Sequence, residues 1–189
     1  MLALSGGPDE IVEYRESGEW ARDARRVVAR ARRHVGRNLD GRPAIVLDVD
    51  DTALSSYACL KAVGFDRTKV SCGASGDLPA VAATRRLYRF ARANNVAVFF
   101  VTGRRERLRE VTADNLRATG YRGWRRMYLR PDRERPGTHD GWKARTRARI
   151  ERRGFTIVAN VGDQRSDLDG GHALRRFKLP NPMYVIEEA

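Results

Sequence analysis

The chain has 189 residues, with 37 Lys and Arg against 24 Asp and Glu, giving a formal charge of +13. That length suits one domain with a sizeable core and room for a small insertion, and no run approaches the ~18 apolar residues of a membrane span. The arginines are spread over residues 22–37, 85–92 and 145–153, without a recognition-helix motif, zinc-finger spacing or interleaved aromatics, so no specific nucleic-acid surface is expected.

Residues 1–7 lack the basic start and full apolar core of an intact export signal. The spacing of Trp20, Val27, Val28, Ala31 and Val35 predicts an amphipathic helix over 19–34. The apolar run Ala44-Ile45-Val46-Leu47 predicts a first strand, over 44–48, buried on both faces. Residues 54–79 carry Gly64, Gly73 and Gly76 among scattered apolar positions, too long for an ordinary connection, and read as an insertion or lid. Within it Cys59 and Cys72 suit either a disulfide or two buried thiols. A helix is predicted over 79–92, with a proline near its start and Asn94-Asn95 at its end. Strand 2 follows over 96–101, then a helix over 106–118, strand 3 over 127–129 and a polar loop through Pro131 and Pro136. A helix over 140–153, strand 4 over 155–161 and a short last strand over 183–186 complete the pattern. Helices alternating with strands predict an α/β domain, a parallel sheet covered by helices, with residues 1–189 forming one unit.

In such a sheet, residues at the carboxyl ends of the strands converge on one edge. Strand 1 ends in Asp48-Val49-Asp50-Asp51-Thr52, strand 2 in Thr102-Gly103-Arg104 and strand 4 in Gly162-Asp163-Gln164-Arg165-Ser166-Asp167. Taken singly, these have ordinary explanations. Asp-rich turns and helix caps use the same residues, Thr102 could cap the next helix, and Lys143 could face solvent. Taken together, Asp48, Asp50, Asp163 and Asp167 form a nest of carboxylates whose mutual repulsion calls for a cation or a shared proton. Their hard oxygens select magnesium or a similar ion. The three histidines have neither helical pairing nor a cysteine partner, which argues against zinc.

The D-x-D-x-T motif at 48–52, the VTGR of 101–104, Lys143 and the GDQRSD of 162–167, in this order, resemble the haloacid dehalogenase (HAD) superfamily. Residues 14–20 and 177–184 bring the likeness closest to its acid phosphatase branch, subfamily IIIB. The resemblance implies a Rossmann-like fold in which residues 54–79 are a small cap. It makes Asp48 the nucleophile and Asp50 the general acid and base. It places Mg2+ on the Asp48 side chain, the Asp50 carbonyl and Asp163, supported by Asp167. Thr102, the backbone N–H groups beside it including Gly103, and Lys143 would hold the phosphoryl group. Ser56, Tyr57 and Phe65 of the cap are candidate substrate contacts or cap core. The implied activity is hydrolysis of a small phosphomonoester such as a nucleotide or sugar phosphate, best below neutral pH. The same intermediate could serve a phosphotransferase, and plant storage proteins resemble this branch too. Export is common in the branch, so a periplasmic or secreted location and a cytoplasmic one both stand. Nothing in the pattern specifies an oligomeric state, and Asp51 has no role derivable from sequence.

Overall fold

The computed structural model describes residues 7–133 and 141–186. Five parallel strands form its sheet, β1 Pro43–Leu47, β2 Ala97–Arg105, β3 Arg126–Arg130, β4 Thr156–Gly162 and β5 Arg176–Lys178, in the order β3-β2-β1-β4-β5. Successive residues of β1 alternate between two apolar layers. Ile45 and Leu47 face the larger one, which holds α2 (Glu19–Gly36) and α4 (Ala82–Ala93), while Ala44 and Val46 pack with Phe99 and Ile150 on the other side. All five β1 residues are buried, which is why this strand reads as an unbroken apolar run.

The predicted stripe of α2 is the buried face of that helix: Trp20, Val27, Val28, Ala31 and Val35, together with Ala24, pack on the sheet. Leu87, Tyr88 and Ala91 of α4 lie beside them. The expected helix over 106–118 is a 3-10 turn, Glu106–Leu108, running into α5, Arg109–Ala118. The helix expected over 140–153 is α6, Trp142–Glu151; Pro136 and position 140 lie outside the described residues. A helix absent from the sequence reading, α1 (Pro8–Glu16), precedes α2, and a single turn, α7 (Arg165–Leu168), follows β4.

The last strand is a correction. Residues 183–186 pair with nothing in the sheet; the fifth strand is Arg176–Lys178 instead, three residues long. Its pairing stops near Leu179 because Pro180 and Pro182 have no N–H to donate, so a chain containing them cannot continue a ladder. Of the residues that follow, Met183 joins the larger core, while Tyr184 and Ile186 line the cavity at the strand ends.

The segment between β1 and α4 carries one short helix, α3 (Tyr57–Lys61), and a 3-10 turn at Cys72–Ala74. Cys59 and Cys72 form a disulfide that joins the two. The segment leaves and returns side by side, with Leu54 bridged to both Asp50 and Ala80. The Tyr57 and Phe65 rings meet at a tilt, 6.1 Å apart, so both belong to the segment's own packing. No described helix is long and apolar enough to cross a membrane.

Candidate functional site

A cavity of about 380 Å³ opens over the carboxyl ends of β1, β2 and β4, roofed by residues of the inserted segment. This is the edge where the chain reverses direction across the sheet, β2 lying on one side of β1 and β4 on the other. Asp48 leaves β1 with its backbone N–H still bonded to the Val161 carbonyl of β4, which fixes the start of the turn to the sheet. Asp163 and Asp167 come from the turn and first helical residues after β4.

Asp48, Asp163 and Asp167 are all buried, and each has a carboxylate oxygen within 4.8 Å of the others. Lys143, in the first turn of α6, reaches down to them. Its Nζ donates to Asp48 Oδ1 at 2.6 Å and also to Asp167 Oδ1. Burial alone would lower the lysine's pKa, but the charges of Asp167 and Asp48 outweigh it and push the ammonium upward. One ammonium cannot satisfy three carboxylates. Burial, followed by the charge of Asp167, drives Asp48 well above the usual carboxylate range despite Lys143. The same two causes, aided by Asp51, push Asp163 up to about 7. Such a cluster of oxygen donors is short of positive charge and fits a hard divalent cation, which would supply the missing charge.

Each carboxylate is also positioned by neutral donors. Thr52 Oγ1 donates to Asp163 Oδ1 at 3.0 Å, so the threonine of the D-x-D-x-T motif braces a residue 111 positions away. Gln164 Nε2 and Asn181 Nδ2 both donate to Asp163 Oδ2, at 2.6 and 2.8 Å. Asp167 Oδ2 accepts from the Gln164 backbone N–H at 2.8 Å, closing a capping box on α7. The capping reading of Asp167 is therefore true alongside its contact with Lys143. Gly162 is needed here: a Cβ at that position would lie 2.3 Å from the Asp167 Cβ. Behind the turn, the buried Arg147 guanidinium donates to the Asp167 carbonyl at 2.7 Å and to the Gly171 carbonyl at 2.9 Å.

Asp50 stands apart from the buried trio. Its carboxylate is gripped by the Arg104 guanidinium, with Nη2 to Oδ1 at 2.7 Å and Nε to Oδ2 at 3.0 Å. The other arm of Arg104 donates to the Gly73 carbonyl at 3.1 Å and to Thr112 Oγ1 at 3.0 Å, so one side chain ties Asp50 to the cap and to α5. Thr102 is fully buried and its Oγ1 accepts from the Arg104 N–H at 3.2 Å, whereas Gly103 lies on the cavity surface. β2 continues to Arg105 and α5 starts at Arg109, so Thr102 does not cap a helix.

Asp51 acquires a structural role. It sits at φ 52, a left-handed conformation that Asp tolerates better than most residues, and is almost wholly buried. Its carboxylate accepts from the Ser56 N–H at 2.9 Å, the Ser56 hydroxyl at 2.5 Å and the Tyr184 hydroxyl at 2.7 Å. Burial still raises its pKa, although these three bonds oppose the rise. Asp51 thus pins the start of the cap to the chain's last described stretch. The contributions of Arg104, Asn181 and Tyr184 went unassigned in the sequence reading, although the quoted segments 101–104 and 177–184 contain them. Residues 14–20 act from further out. Arg15 lies over the rings of Trp20 (3.6 Å) and Tyr57 (4.6 Å) and donates to Ser55 Oγ, while Trp20 Nε1 donates to the Pro180 carbonyl at 2.8 Å.

Residues 6–187 match the family described as HAD superfamily, subfamily IIIB (Acid phosphatase). Among curated relatives, acid phosphatase 1 of Solanum lycopersicum is 37% identical over 158 residues, covering 78% of this chain and 60% of that protein. Stem 28 kDa glycoprotein of Glycine max is 32% identical over 95% of this chain and 76% of its own length. Vegetative storage protein 1 of Arabidopsis thaliana is 32% identical over 75% and 54%. The chain therefore spans only about 60% of the tomato protein's length and about half that of the Arabidopsis one. In three dimensions it resembles the class C acid phosphatase from Bacillus anthracis, with a TM-score of 0.75 at 18% identity, covering 93% of this chain and 83% of that one. That likeness establishes the same fold.

Proposed function

The chain belongs to subfamily IIIB, the acid phosphatases, of the HAD superfamily, and from that premise we propose that it hydrolyses small phosphomonoesters with magnesium through a phosphoryl intermediate on Asp48. The observation that carries this reading is the trio Asp48, Asp163 and Asp167 on the cavity floor, with Lys143 donating to two of them. Asp48, Asp163 and Asp167, with the Asp50 carbonyl, are the groups that would hold the cation. When bound, the cation supplies positive charge that lets a phosphate dianion approach the Asp48 carboxylate.

In this proposal an Asp48 carboxylate oxygen attacks phosphorus, and the bond from phosphorus to the ester oxygen breaks. Asp50 gives its proton to the departing alkoxide. It then takes a proton from a water that attacks the phosphoryl-Asp48, breaking the bond from phosphorus to Asp48 and releasing inorganic phosphate. The Arg104 grip, with Nη2 at 2.7 Å from Oδ1, holds the Asp50 carboxylate at the cavity wall for both halves of this cycle. Lys143 would offset charge on the phosphoryl oxygens, and the N–H of Gly103, a residue that lines the cavity, would donate to them. Buried Thr102 acts by shaping that turn. The Cys59–Cys72 disulfide supports, as part of the same proposal, residence in an oxidising compartment.

Relatives named as vegetative storage proteins favour a second reading, a protein that keeps the fold without turnover. One assay separates the two. With magnesium and a chromogenic phosphomonoester, the wild-type protein should release phosphate and Asp48→Asn should not. Wild-type inactivity would establish the storage reading, and undiminished turnover by Asp48→Asn would remove the nucleophile assignment.

A further inference from the structure

The cavity has two chemically different ends. Every described carboxylate that lines it, Asp48, Asp50, Asp163 and Asp167, belongs to the cluster on the strand ends. Lys143 and Arg104, which also line the cavity, are engaged by those carboxylates, and the charged lining beyond them is arginine. Arg105, Arg107 and Arg130 come from the β2 and β3 side, and Arg67 comes from the cap. Arg105 and Arg107 are braced from below, the first donating to the Pro131 carbonyl at 2.8 Å and the second lying 3.4 Å from Asp132.

Arg67 is held differently. Its guanidinium carbon lies over the Tyr184 ring, 4.2 Å from the centroid, and among the described residues it forms no ion pair. Tyr184 is itself fixed, because its hydroxyl donates to buried Asp51 at 2.7 Å. The chain Asp51–Tyr184–Arg67 therefore presents a preorganised cation at the cavity rim, on a platform anchored to the catalytic loop. Stacking on an aromatic face uses the ring's negative quadrupole and leaves the N–H fork free for a planar or tetrahedral oxyanion. Leu60, Val70 and Ile186 line the same cavity and can accept an uncharged spacer.

We propose that Arg67 is a specificity-determining residue that selects phosphomonoesters carrying a second anionic group, a carboxylate or another phosphoryl, beyond the ester being cleaved. This rests on the phosphatase reading and adds the substrate class. Ionised partners make the strong hydrogen bonds, so a second anion reaching Arg67 gains what a neutral substrate of the same shape cannot.

The test compares matched pairs: glycerol 3-phosphate with 3-phosphoglycerate, and fructose 6-phosphate with fructose 1,6-bisphosphate. The wild-type protein should favour the more anionic member of at least one pair in kcat/KM. Arg67→Ala should shrink that ratio about tenfold, as expected for losing one charge-assisted hydrogen bond. Arg67→Lys, which keeps the charge, should retain part of it. A ratio is insensitive to general loosening of the cap, and the variants' melting curves check folding. No preference in either pair, or a preference that persists in Arg67→Ala, overturns the inference. Binding of the same four compounds to Asp48→Asn, with and without the Arg67 change, gives the ratio without turnover. Inactivity of the wild-type protein on all four would therefore fall on the phosphatase reading, while the binding ratio alone would decide the role of Arg67.

Discussion

In the metal-free protein, stability should fall as pH rises from about 4 to 7. Asp163 carries most of this effect, because burial and the charges of Asp167 and Asp51 lift its pKa from 3.8 to about 7. The folded state then holds its proton over a range where the unfolded chain has released it, so folding binds protons and stability drops with pH. The contribution is full below the unfolded value, is lost progressively up to about 7, and levels off above. Three units correspond to at most about 4 kcal/mol at ~1.36 kcal/mol per unit. For a chain of this size, 1 kcal/mol shifts Tm by roughly 2–4 °C, so the ceiling is about 16 °C. Buried Asp48 shifts in the same direction and steepens the slope. Glu16, Asp66 and Glu106 shift the opposite way, but each is close to the surface and pairs with an exposed partner, so their effect is small and confined to lower pH. The assay is thermal unfolding in chelator at steps from pH 4.5 to 8, repeated with excess magnesium and on Asp163→Asn. Magnesium should flatten the profile by stabilising the ionised cluster, and Asp163→Asn should flatten it in chelator. A metal-free Tm that is constant or rises over this range, or an unchanged slope in Asp163→Asn, would refute the electrostatic account.

Two further predictions address the groups around the cluster. Lys143→Met removes the shared ammonium, leaving Asp48 and Asp167 without their counter-charge; it should cost about 3–5 kcal/mol in chelator at neutral pH, measured by denaturant unfolding. The same variant should lose about 100-fold or more in kcat/KM, because a donor to the reacting phosphoryl is gone. Gly162→Ala places a methyl where Asp167 already sits, so it should destabilise the fold by about 1–3 kcal/mol. By displacing Asp167 it should also raise the magnesium concentration for half-maximal activity about tenfold, read from a metal titration of initial rate.

How far the sequence reveals this site depends on the range of the interaction. Asp48, Asp163, Asp167 and Lys143 can be anticipated because strand ends in a parallel sheet converge whatever the detailed packing, and these four do meet within hydrogen-bonding or ligand distance. Asp51 could not be read this way. Its partners Ser56 and Tyr184 lie 5 and 133 positions away, and only the folded cap brings them together. Arg104 was visible as part of a motif, but its bridge from Asp50 to Gly73 depends on where the cap returns. The cap itself has no periodicity to detect. It is held by a disulfide, a two-sided bridge at Leu54 and a guanidinium from β2, none of which leaves a regular pattern. The misplaced last strand shows the reverse problem. Residues 183–186 have strand-like composition, but the prolines before them carry the chain away from β4; Met183 joins the larger core and Tyr184 lines the site instead. α1 escaped notice because only Ile11 of its nine residues is buried, too little for an apolar stripe.

The central claim, that Asp48 carries the phosphoryl group during turnover, can be examined chemically. The wild-type protein is mixed with magnesium and a rapidly cleaved phosphomonoester, quenched in acid, treated with borohydride and analysed by peptide mass spectrometry. An acyl phosphate is reduced by borohydride while an ordinary carboxylate is not, so the account predicts homoserine at position 48, dependent on substrate and absent elsewhere. Phosphate release at full rate with position 48 unmodified, or with the label on another residue, would contradict it.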